Sequence, residues 1–259
     1  MLRLLRWLVL LGILCGGAGW WWAHRALPTG GAVLDLTIAP GTSARGVAEG
    51  VVQAGVKTPA ELLFLWFRLS GDARQIKAGS YEIEVGTTPI SLLGKLVRGE
   101  QALRAVTFVE GWNFRQVRDA LAKAERLKTD SQPQTPEAIM QALGRPGVAP
   151  EGRFFPDTYT YAKGTSDLDV LKRAMLAMDK KLDAAWAQRQ PGAVLKSPEE
   201  ALTLASIIEK ETGQGADRPL ISGVFNNSLR IGMPLQTDPT VIYGLGATFD
   251  GDLRRRDLQ

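Results

Sequence analysis

Two glutamates, Glu209 and Glu211, stand one residue apart in the run PEEALTLASIIEKET that begins at Pro198. A carboxyl beside bulky apolar groups loses hydration, its neutral form is favoured, and it becomes a proton donor near neutral pH. If the run is helical, at about 100° per residue the two carboxyls point roughly 160° apart, so one cleft can use only one of them. Glu211 follows Leu204, Ile207 and Ile208 at helical spacing, whereas Glu209 follows Leu202 and the small Ala205. That contrast favours Glu211 as the acid. From this segment alone, the alternative that both are solvated residues at the border of an apolar face stays open.

Downstream, Gln236, Thr237, Asp238, Thr240 and Tyr243 crowd around Gly232, Pro234, Pro239 and Gly244. Amide and carboxylate groups that bind hydroxyls, next to an aromatic face, are what a sugar site requires. A plain turn with an Asx cap is the competing explanation. Other chemistries are excluded by composition. The chain holds one Cys, Cys15, and one His, His24, both at the N-terminal end. Disulfides within the chain, Cys/His metal sites and His-based triads are therefore ruled out for the rest of it. A formal charge of +4 suits an anionic surface or wall polymer. Without a basic stripe interleaved with aromatics, nucleic-acid binding is not expected.

The elements that must position these groups follow from capping and periodicity. Ser197-Pro198-Glu199-Glu200 supplies an N-cap, Pro at the first helical position and Glu at the third, so a helix starts there and Gly213 stops it. A long amphipathic helix is expected over 167–188, a strand near 104–111, and a helix capped by Asn113. Before them, the sequence predicts a strand in VLDLTIAP, a helix after Ser43, and a helix opened by a capping box of Thr58, Pro59 and Glu61. A strand in AGSYEI and the helix SLLGKLVRG complete that unit. The stretch 240–244 reads as a strand, followed by polar chain with three consecutive arginines and no closing apolar element.

Residues 7–23 carry no charge. At 1.5 Å per residue they span roughly 25 Å, short of a bilayer core of about 30 Å unless flanking residues help. Trp20, Trp21 and Trp22 suit an aromatic belt, and Arg3 and Arg6 place the N-terminus inside. A single-pass anchor is expected. A cleaved signal peptide lacks small residues at its cleavage site, and Leu14 before Cys15 disfavours a lipoprotein signal. The fold class expected is α+β, with one transmembrane helix, a small α+β subdomain and a mixed α/β catalytic domain. The divisions are 1–25 for the cytoplasmic tip and anchor, 26–32 for a linker, 33–102 for the subdomain and 103–259 for the catalytic domain.

The runs EGRFFPDTYTY (151–161), LASIIEKET (204–212) and LRIGMPLQTDPTVIYG (229–244) resemble those of the YceG-like (MltG) endolytic murein transglycosylases, and the resemblance spans nearly the whole chain. The anchor and the PGTS…KAGSYEI segment are similar to that family's membrane helix and LysM-like subdomain. The resemblance implies an inner-membrane enzyme facing the periplasm that cuts nascent peptidoglycan strands between MurNAc and GlcNAc, leaving 1,6-anhydro ends and ending strand elongation. It implies Glu211 as the catalytic residue and Asn227, Gln236, Thr237, Asp238 and Tyr243 around the cleft. It further implies peptidoglycan synthases as partners and no metal or cofactor. The sequence departs from the family at Ser228 and Asp217, and relatives continue past the segment matching DGDLRRRDLQ, so reduced activity is expected of the chain ending at Gln259. Two rival readings are a membrane-anchored peptidoglycan-binding module without catalysis and a hydrolase pairing Glu211 with Asp238 or Asp157.

Overall fold

Ten α-helices and four short strands make a mixed α+β architecture in the computed structural model, which describes residues 2–258, and for 2–5, 8, 9, 247 and 258 the backbone alone. The side chain of Arg3, expected to flank the anchor, and Gln259 lie outside the described residues. The chain divides into two compact units, one of residues 1–104 with 161–163, the other of 105–160 with 164–259.

In the first unit, α1 (Leu2–Ala23) precedes β1 (Leu34–Ile38), α2 (Ala44–Gln53), α3 (Ala60–Leu69), β2 (Gly79–Ile83) and α4 (Pro89–Arg98). β1 and β2 pair antiparallel with Leu36 opposite Tyr81 and Leu34 opposite Ile83. Because side chains alternate along a strand, that register turns Leu36, Tyr81 and Ile83 to one face, where they meet Val47, Val51, Leu63, Phe67, Leu92 and Leu96. Gly79 has φ +150°, which a side chain would strain, and a Cβ there would displace the exposed Gln101 side chain. Ser43 caps α2 as expected, its side chain accepting from the Gly46 N–H. The capping box expected at Thr58 does not form. α3 begins one residue later, with Pro59 at the cap position and no side-chain bond.

Among the described residues, no helix is long and apolar enough to cross a membrane. A helix does cover Leu2–Ala23. Its four glycines and four tryptophans lower the mean apolarity of the uncharged run.

The second unit contains most of β3 (Leu103–Thr107), which pairs with β4 (Thr158–Ala162), and then α5 (Phe114–Lys123), α6 (Pro136–Ala142), α7 (Asp167–Ala187), α8 (Pro198–Glu211), α9 (Arg218–Arg230) and α10 (Asp238–Leu245). Asn113 caps α5 and forms a capping box with Gln116. Ser197 caps α8 by accepting from the Glu200 N–H, as its sequence requires. Three elements were not expected, α6, α9 and β4. Thr135 caps α6 with Pro136 in its first turn, and β4 alternates exposed threonines with buried Tyr159 and Tyr161.

One expectation is reversed. The strand expected at 240–244 is part of helix α10. Extended backbone at Thr237 followed by Pro239 in the first turn sets the chain up for a helix, and this outweighs the β-branched pair Val241-Ile242.

Candidate active site

Helix α8 is held by α7, α9 and α10, which all pack on it. The expected apolar face is thinly covered: Leu204 is buried, whereas Leu202, Ile207 and Ile208 are half-buried and Ala205 is exposed. From 197 to 257, the described side chains that reach full burial are Leu204, Phe225 and Thr237.

The two glutamates have different surroundings. Glu209 pairs with Arg218 at the start of α9, 2.9 Å away. Its face of α8 also meets the turn after β3, where a Cβ on Gly111 would lie 3.5 Å from both Glu209 Cγ and Lys210 Nζ. Gly111 has φ +73°, which a side chain would strain. Two helical turns earlier, a Cβ on Gly152 would lie 3.7 Å from Leu202 Cδ2. Glu211 is the last residue of α8 and is exposed, so the burial expected beside Ile207 and Ile208 is not present.

The remaining sequence-derived residues lie on α9, on α10 and in the loop between them. Asn227 is exposed on α9, its Oδ1 accepting from Arg230 Nη1 at 2.6 Å. Gln236 is exposed and adopts φ +39°, a left-handed conformation that costs a non-glycine residue about 1–3 kcal/mol. Thr237 is buried, and its carbonyl accepts from the Thr240 hydroxyl at 2.7 Å, closing the first turn of α10. Asp238 is exposed at the first position of α10.

Tyr243 is 62% exposed, yet its phenol is held above its ordinary value. Partial desolvation is the main cause, followed by the negative charge of Glu151 and a hydrogen bond to it. Glu151 has a second role: its Oε1 and Oε2 accept from the Phe114 N–H at 3.1 and 3.3 Å, satisfying an orphan donor in the first turn of α5. The same carboxylate thus caps α5 and acts electrostatically on Tyr243 of α10. Among the described residues, no hydrogen bond or ion pair links Glu211 to Asn227, Gln236, Thr237, Asp238 or Tyr243. Asp157, a partner in the hydrolase reading, has its Oδ1 occupied by the Thr158 N–H at 2.7 Å.

The model of the YceG-like family matches residues 36–259. The chain belongs to that family. An endolytic murein transglycosylase of Streptococcus pneumoniae serotype 2 (strain D39 / NCTC 7466) is 26% identical over 243 residues, covering 82% of this chain and 43% of that protein. The enzyme of the same name from Bacillus subtilis (strain 168) is 26% identical over 231 residues, 82% of this chain and 63% of its own. The chain thus spans about half the length of these curated relatives. A crystal structure of a yceG-like protein from Listeria monocytogenes is 27% identical, with a TM-score of 0.45, and the match covers 88% of this chain and 80% of that one.

Within this YceG-like chain, sequence reasoning overlooked Glu151 and Arg218. Glu151 opens the run EGRFFPDTYTY, and its position before a glycine in a proline-rich loop was the available signal. Its partners lie 37 residues upstream and on α10, which no local pattern reveals.

Proposed function

We propose that this chain carries the endolytic murein transglycosylase activity of its YceG-like relatives. The observation that carries the reading is the family match over 36–259 together with relatives named for that activity. The substrate is the peptidoglycan glycan strand, cut between MurNAc and GlcNAc. Glu211 donates a proton to the glycosidic oxygen as positive charge develops at the anomeric carbon. The same carboxylate then accepts the proton of the MurNAc 6-hydroxyl as that oxygen closes on C1, giving a 1,6-anhydro end. A hydrolase needs a second carboxylate for water or for covalent attack. An intramolecular hydroxyl replaces it, because its effective concentration is very high. Asn227, Gln236, Thr237, Asp238 and Tyr243 contact the sugars in this reading, and residues 33–102 form a LysM-like subdomain that meets the same polymer.

Location follows from the same reading. α1 serves as a single-pass inner-membrane anchor, supported by its uncharged run and by exposed Trp20 and Trp21. The globular part faces the periplasm, where a synthase extending the strand is the partner such an enzyme would work beside. A periplasm-only reporter fused after Gly99 is expected to be active, and activity from a cytoplasm-only reporter there overturns the topology.

The chemistry is tested by product mass on purified glycan strands. Glu211→Gln is expected to abolish anhydro ends while the fold persists. Glu209→Gln loses only a part-exposed ion pair, worth about 0–1 kcal/mol, and keeps most activity. A reversed order of severity refutes the assignment. Products heavier by one water establish a hydrolase instead.

A further inference from the structure

The chain from the end of α1 to β1 forms a cavity with the loop before α3, of about 350 Å³, lined by Trp22, Arg25, Pro28, Lys57 and Thr58 among others. Its walls are fixed. The Leu27 N–H donates to the Thr87 carbonyl at 2.8 Å, Leu27 is buried, and the Lys57 N–H donates to the Pro28 carbonyl at 3.0 Å. Arg25 is held with its guanidinium over the Trp21 ring, 4.5 Å from the centroid. Two cations from separate segments therefore line one cavity. Among the described residues, neither Arg25 nor Lys57 forms an ion pair with a carboxylate. Like charges brought together repel unless an anion lies between them, and a phosphate oxygen is a strong acceptor for both.

We propose that this cavity binds the phosphate of an anionic lipid headgroup. The helix leading into it identifies a lipid as the source: Trp7 is 72% exposed, Leu14 70% and Trp20 65%. Trp side chains favour the bilayer interface, so a cavity immediately after Trp20–Trp22 lies at headgroup depth when α1 is in the membrane. The inference rests on the anchoring role proposed for α1, and the test separates the two.

The full chain is mixed with vesicles of phosphatidylcholine, with or without phosphatidylglycerol, and the bound fraction is measured by co-sedimentation. Wild type is expected on both, more tightly on the anionic vesicles. Lys57→Gln and Arg25→Gln are each expected to lower the anionic preference about fivefold, the factor for one cation at such a surface. Binding to neutral vesicles is unchanged, and Lys57→Arg retains the preference. Arg74→Gln, at an exposed cation in the first unit remote in sequence from the cavity residues, serves as the control for general attraction. Equal effects of Arg74→Gln and Lys57→Gln overturn the proposal. Equal binding to both vesicles removes the headgroup site and leaves the anchor standing. Binding to neither removes both.

Discussion

Replacing Glu151 with Gln tests whether one carboxylate both caps α5 and acts on Tyr243 of α10. In the native chain its two oxygens lie 3.1 and 3.3 Å from the Phe114 N–H in the first turn of α5. The Gln amide oxygen can still accept that bond, but the charge is lost. Hydrogen bonds to charged groups stabilise by about 1.5–3 kcal/mol and neutral ones by about 0.5–1.5. A negative charge at a helix N-terminus contributes about 0.3–1. The expected cost is therefore about 1 kcal/mol, a fall in Tm of about 2–4 °C for a domain of this size. The same change acts on Tyr243, whose phenol is raised by desolvation first and then by Glu151. Without the negative charge its titration moves down but stays above the ordinary tyrosine value, since the desolvation persists. Phenolate absorbance measures this, with Tyr243→Phe identifying which titration belongs to residue 243. A Tyr243 titration unchanged in Glu151→Gln, at whatever Tm, refutes the link.

Gln236→Gly relieves the left-handed backbone at φ +39° and is expected to stabilise the fold by up to about 1 kcal/mol in thermal melts while lowering turnover if the amide contacts sugar; lost stability shows that no strain was stored there. Burial, with the nearby charge of Asp157, pushes the Tyr159 phenol up to about 12. Since the folded value exceeds the unfolded value of about 10, this stability is fully present below pH 10 and lost as pH rises toward 12, about 2–3 kcal/mol in all. Denaturation curves across that window are expected to flatten in Tyr159→Phe, and an equal loss in both proteins counts against it. Leu204→Ala removes the buried residue of α8 and is expected to cost about 2–5 kcal/mol in chemical denaturation; a cost under 1 shows that α8 is held by other contacts.

What was legible in the sequence was whatever depends on neighbours a few residues away. Ser43, Asn113 and Ser197 cap helices in the structure because a side-chain oxygen and an N–H three residues on need nothing else. The helix expected over 167–188 appears as α7, Asp167–Ala187, for the same reason of local periodicity. The failures came where local signals conflicted. In α10, two β-branched residues argued for a strand and Pro239 for a helix, and the latter prevailed. At Thr58, the box pattern was present but the helix started after Pro59. Glu151 was illegible for a different reason, because its partners belong to α5 and α10 and only folding brings them to it.

The two glutamates of α8 show how local geometry and packing divide their roles. Positions two apart on a helix face nearly opposite ways, so an element that packs against one leaves the other free. Here the packing is against Glu209: the Gly111 turn lies along its side chain and Arg218 neutralises it at 2.9 Å. For Glu209 to act on a sugar it would have to abandon that cation and open the turn beside it, and either step raises the barrier. Glu211 makes no such commitment and stands open at the end of α8, next in the chain to Thr212, whose N–H closes the last turn onto the Ile208 carbonyl. A carboxyl that must give a proton to one oxygen and take it back from another needs that freedom. The apolar shielding that the wheel gave Glu211 is absent, since Glu211 is exposed; what the fold shows instead is that its sister carboxylate, Glu209, is already occupied by Arg218.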